Sequence, residues 1–117
     1  MKIVKVKMKY HKDLTPERWF KFSFDEQMAN VGADIGRAIN WRNKDKEQSK
    51  NFLKMGLILF DAIIADPKNK DKQKELLKVH KELVNYFSGN NFSESDDEKW
   101  NNYFYGFNYA VAVKAQR

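Results

Sequence analysis

Cysteine is absent from this 117-residue chain, which removes disulfide staples, thiolate metal sites and cysteine nucleophiles together. A reducing, cytoplasmic compartment fits that absence. Histidine is scarce, and only His11 and His80 offer imidazole bases. His80 lies in an apolar helical stripe, where a packing role is the ordinary use. The glycines make no phosphate-cradling loop, because Gly32 and Gly36 fall inside a helical pattern instead of between a strand and a helix. Di-metal bundles need a Glu three residues before a His, and Leu77 holds that place before His80. Asp61 and Asp66 flank one helix end as a candidate cation pair, with one solvated and the other capping a turn as the plainer reading. No apolar run approaches the roughly 18 residues needed to cross a bilayer. The opening run Met1–Lys7 alternates apolar residues with lysines, unlike a signal-peptide core. A non-catalytic protein without cofactor is the expectation.

What is present is apolar surface and positive charge. Hydrophobic residues make up 42% of the chain and aromatic ones 15%, enough for a single domain with a real core. The net charge is +6, which favours acidic partners, nucleic acid first.

The segment 29–41 organises the chain. Met28, Val31, Ile35 and Ile39 recur at helical spacing. A second stripe holds only small residues: Ala29, Gly32, Ala33 and Gly36. A mid-helix glycine costs about 1 kcal/mol against alanine, so two in one helix imply close approach of another backbone. Asp34 and Arg37, three apart, can pair on the remaining surface.

The spacing predicts an all-α chain: an antiparallel four-helix bundle over 24–117, preceded by a basic N-terminal arm and approach segment over 1–23. Residues 3–10 alternate like a strand with no partner strand in the chain. Thr15 and Pro16 can start a short turn, while the alternation of Phe20, Phe22 and Phe24 predicts an extended or irregular approach. Ser23 to Glu26 spells a capping box for a helix over 24–43. Asp45 caps a helix over 46–65, apolar nearly all round, which suits a bundle centre or a subunit interface. Asp66-Pro67 ends it. Asn69 or Asp71 caps a helix over 71–88, closed by Ser88-Gly89. Ser95 to Glu98 caps a helix over 96–114, with Trp100, Tyr103, Phe104, Phe107, Ala110 and Val111 facing inward. The apolar excess and the glycine face together predict a homo-oligomer or a stable protein complex.

An up-and-down bundle gathers charge at one pole. Arg18 and Lys21 meet Lys68, Lys70, Lys72 and Lys74 there, with Lys12 and the arm lysines Lys5, Lys7 and Lys9 beside them. Lys114 and Arg117 join that pole from the C-terminus, and Trp19, Phe20 and Tyr10 are nearby. A basic field with aromatic rings suits phosphates and stacked bases, RNA or DNA. The nine lysines named from Lys5 to Lys74, together with Arg18, are the candidate nucleic-acid contacts.

Three runs, 27–41, 64–70 and 103–110, resemble a group of small prokaryotic helical proteins near diversity-generating retroelements. Accessory variability proteins of those elements are basic four-helix bundles that form pentamers and bind the reverse transcriptase and its RNA. The resemblance implies that fold and those partner classes, and no site residue. The HEPN ribonuclease signature, Arg followed four to six residues later by His, is absent. An inactive HEPN-like toxin–antitoxin partner is the alternative.

Overall fold

The computed structural model describes residues 15–89 and 91–116. Regular structure among the described residues is all helical: α1 (Pro16–Lys21), α2 (Phe24–Trp41), α3 (Lys46–Ala65), a 3-10 segment (Pro67–Lys72), α4 (Gln73–Ser88) and α5 (Glu94–Ala115). The strand-like pattern over 3–10 lies outside the described residues.

Local chemistry sets most boundaries. The Ser23 hydroxyl accepts from the Glu26 N–H (3.1 Å), and the Glu26 carboxylate accepts from the Ser23 N–H (3.0 Å), so the capping box starts α2 as its sequence predicts. Asp45 accepts from the N–H groups of Glu47 and Gln48 at the start of α3.

Three expectations are corrected. The alternating phenylalanines do not make an extended approach. Thr15 caps and Pro16 opens the six-residue α1, and burial of Trp19 outweighs the alternation. Neither Asn69 nor Asp71 caps α4. Asp66 caps the 3-10 segment, and α4 follows with no side-chain cap of its own. Ser93, not Ser95, caps α5, its hydroxyl accepting from the Asp96 N–H at 3.0 Å, so α5 begins two residues early.

α2 packs against both α3 and α5. Toward α3 the register runs in opposite senses: the Ser49 hydroxyl donates to the Ala38 carbonyl (2.6 Å), and Gly56 lies against Ile35 and Asp34. That contact buries Asp34 beneath α3, while its partner Arg37, at 3.0 Å, stays half exposed. Toward α5 the senses are also opposite, with Phe24 against Phe107 and Arg42 against Asp97. The small-residue stripe finds its neighbour here. A Cβ on Gly32 would stand 2.5 Å from the Phe104 Cβ, so Gly32 lets the α5 ring seat directly on the α2 backbone. At Gly32 that face is met within the chain, whereas Ala33 on the same stripe is exposed. On α3, Leu59, Phe60, Ala62 and Ile63 are buried and the other large apolar residues are half-buried. Among the described residues no helix is long and apolar enough to cross a membrane.

The two helical glycines on α2 and α5 should therefore respond oppositely to a methyl group. Gly32→Ala should destabilise by about 1–3 kcal/mol, because the Phe104 ring must shift. Gly106 has nothing within 4 Å of an added Cβ, and Gly106→Ala should stabilise by roughly 0.5–1 kcal/mol. Urea denaturation of the two variants against the parent checks both signs.

Candidate functional site

One end of the molecule is built on a buried amide. Gln27 donates through Nε2 to the Trp19 carbonyl (3.0 Å) and to Asp66 Oδ2 (2.9 Å). Its Oε1 accepts from Asn69 Nδ2 (3.0 Å), which also donates to the Ile63 carbonyl (3.0 Å). Gln27, Asp66 and Asn69 are all buried, where an unpaired polar group costs free energy and a paired one fixes geometry. The network ties α1, α2, the end of α3 and the 3-10 segment at one point. Lys68 completes it, its ammonium pairing with Asp66 and donating to the Phe20 carbonyl (3.2 Å). Burial pushes the Asp66 carboxyl up, but the Lys68 ammonium, the Gln27 amide and the Lys68 N–H outweigh it. The net shift is below the ordinary aspartate value. Of the two aspartates weighed as a cation pair, Asp66 is thus a buried cap. Asp61 is exposed, 3.1 Å from His80 Nε2. The His80 ring sits edge-on to Phe60, 5.3 Å between centroids.

The hub brings the candidate cations of α1 and the 3-10 segment to one end, with differing roles. Arg18, Lys21 and Lys70 are exposed there. Lys68 is occupied holding α1. Lys114, from the end of α5, pairs with Asp25 at 2.7 Å. Lys72 stands 5.0 Å over the Phe24 ring and 3.7 Å from Asp71. Lys5, Lys7, Lys9 and Lys12 lie outside the described residues.

Beside that end, α4 and α5 do not pack closely. Two adjoining cavities of about 630 and 590 Å³ open between them. The expected inward stripe of α5 is only partly inward. Phe104 is buried, Trp100 and Phe107 are half-buried, and Tyr103 is exposed. These rings form the floor of the gap. Phe24, Phe107, Tyr103, Trp100 and Tyr86 follow one another at centroid distances of 5.7, 5.4, 6.1 and 6.5 Å. Lys72, Lys74 and Lys78 rim the first cavity, with Asp71 and Glu75 among them. The second cavity is mixed, with Glu82, Asp96 and Lys99. Burial pushes the Tyr103 hydroxyl above its usual pKa, and Glu75 and Glu82 add to the shift. The sequence reading missed Lys78 and the ring floor. Lys74 and Lys78, one turn apart, were the available signal for the rim. The arrangement can bind and orient; among the described residues no group of three His, Asp or Glu side chains is placed to hold a metal.

The far end is stapled. Arg42 makes two hydrogen bonds to Asp97 (3.1 and 2.6 Å) and lies 3.9 Å over the Phe92 ring. The Tyr86 hydroxyl donates to the same carboxylate. Burial opposes the charge on Asp97, but Arg42 and Tyr86 hold its pKa below the ordinary value. Burial and the Asp97 carboxylate push the Tyr86 hydroxyl up to about 12.

Comparison of the chain with protein-family models, curated proteins and solved structures returns no match.

The two depressed carboxyls and the raised phenol give the stability curve two limbs. Asp66 and Asp97 contribute fully above the unfolded aspartate pKa near 3.9, roughly, and that contribution is lost as pH falls through their lower folded values. Tyr86 contributes below its ordinary value of 10.0, and its share is lost as pH rises from there through about 12. Urea midpoints against pH should show both limbs. Asp97→Asn should flatten the acid limb, and Tyr86→Phe the alkaline one.

Proposed function

We propose that this chain is a non-catalytic accessory protein, an antiparallel four-helix bundle with a basic N-terminal arm, that binds nucleic acid, RNA above all. The supporting observation is the row of five rings along the α4/α5 gap with Lys72, Lys74 and Lys78 on its rim. Base–aromatic stacking is sequence-tolerant, worth about 1–3 kcal/mol per base, and lysines beside it neutralise phosphates. Lys70, Arg18 and Lys21 extend the positive field around the same end; Lys5, Lys7, Lys9 and Lys12, outside the described residues, are candidate contacts by their charge alone. The resemblance to accessory variability proteins names the further partner: a nucleic-acid enzyme of the reverse-transcriptase class.

Binding of a labelled single-stranded RNA, followed by fluorescence anisotropy, should weaken steeply with salt, because lysine–phosphate contacts release counterions. Three such contacts give a log–log slope of about −2 for a single strand. Lys72→Glu, Lys74→Glu and Lys78→Glu together should weaken binding at least roughly tenfold and flatten the slope. Unchanged affinity and slope would remove the groove from the account.

Self-association has its own supporting observation. From Trp100 to Val113 no residue carries a formal charge, in a chain that is 32% charged. On that stretch Tyr105 and Tyr109 are each 63% exposed, one turn apart on α5. A neutral, ring-bearing helix face lets two copies of a +6 chain meet without like-charge repulsion. Light scattering should give a mass above the monomer's 13.9 kDa, and Tyr105→Glu with Tyr109→Glu should return it to monomer. A monomer at high concentration for the parent chain would contradict this.

A further inference from the structure

A third cavity, of about 370 Å³, lies at the stapled end, away from the lysine-rimmed groove. It is lined by Arg42, Lys46 and Lys50 and by no carboxylate, with Leu53, Phe87 and Phe92 on its apolar side. Lys46 and Lys50 are one turn apart on α3 and exposed. Like charges so placed repel, and neither lysine is within ion-pair distance of an acid among the described residues. Arg42 is held rigidly by Asp97 and against the Phe92 ring. The Ser49 and Ser88 hydroxyls on the wall donate to the Ala38 and Val84 carbonyls, which leaves anion recognition to the cations. The cavity falls within the size range of small-molecule sites. It joins cations on one side to aromatic and aliphatic surface on the other.

We propose that this cavity binds a 5′-phosphorylated nucleotide, its phosphate held by Lys46 and Lys50 and its base set against Phe87, Phe92 and Leu53. Arg42, its charge answered by Asp97, fixes the Phe92 wall. The nucleotide is either free in solution or the terminal residue of a strand. The site lies near the C-terminal end of α4, whereas Lys72 and Lys74 are at its N-terminal end. On the helix Gln73–Ser88, the thirteen-residue step from Lys74 to Phe87 spans roughly 20 Å at 1.5 Å each. The proposal therefore stands whether or not the groove binds RNA.

Calorimetric titration of the full chain with AMP, adenosine and inorganic phosphate tests it. AMP should bind more tightly than either fragment. Lys46→Glu with Lys50→Glu should weaken AMP about tenfold or more, and Phe92→Leu should reduce the advantage of AMP over phosphate. Lys72→Glu with Lys74→Glu should leave AMP binding unchanged, which separates this site from the groove. If the charge-reversed pair fails to fold by circular dichroism, Lys46→Gln with Lys50→Gln carries the same expectation. Competition identifies the source: displacement of AMP by a 5′-phosphorylated but not a 5′-hydroxyl oligonucleotide marks a strand end, and no displacement marks a free nucleotide. Absence of AMP binding, AMP binding no tighter than phosphate, or AMP binding that survives loss of both lysine charges overturns the proposal.

Discussion

The buried amide of Gln27 is the constraint on which the rest of the lysine-rich end depends. Three polar side chains are taken out of water together, and they are tolerable only because each answers another. Gln27 cannot bond the Trp19 carbonyl and Asp66 at once unless α1 folds back on α2 and α3 stops at Asp66. Asn69 cannot reach Gln27 and the Ile63 carbonyl unless the chain after Pro67 turns tightly. The 3-10 segment supplies that turn, and Pro67 opens it without needing a donor. Removing any member strands the others in an apolar surround, so the network specifies one arrangement more than it adds stability.

From that point the site follows by geometry. Fixing the 3-10 segment fixes where α4 begins, and so where Lys72, Lys74 and Lys78 stand against the rings of α5. Gly32 settles the other wall, because it lets Phe104 rest on the α2 backbone and holds α5 close to α2. α5 is thereby drawn toward α2 and leaves its α4 side open. The Arg42–Asp97–Tyr86 staple ties the far end. The result is a gap bounded at both ends by rigid polar networks and floored by aromatic rings.

Much of this was legible in the sequence, and what was not has a physical cause. Caps and stops are local, so the Ser23 box, Asp45 and Asp66-Pro67 could be read directly. The small stripe on α2 was legible as a demand for a close neighbour, although not as a demand met by α5. The hub was hidden because Gln27 lies 39 residues from Asp66 and 42 from Asn69. Nothing in spacing tells a buried Gln from a solvated one. Lys68 read as a free phosphate contact for the same reason. Periodicity placed Trp100, Tyr103, Phe104 and Phe107 on shared faces of one helix, but it cannot say whether a facing helix closes over them. α4 closes over them only in part: Phe104 is in the core, Trp100 and Phe107 are half-buried against it, and Tyr103 is left to line a groove. Trp19 shows the converse, where an alternating pattern yielded to a capped turn that buries one large ring.

The most direct measurement is a residue-by-residue chemical-shift map of the chain titrated with a short single-stranded RNA. The account predicts that shifts concentrate on Phe24, Lys72, Lys74, Lys78, Tyr103 and Phe107 and fade along α4 toward the acidic Glu82. Shifts confined to other surfaces, or none at all at low salt, would contradict it.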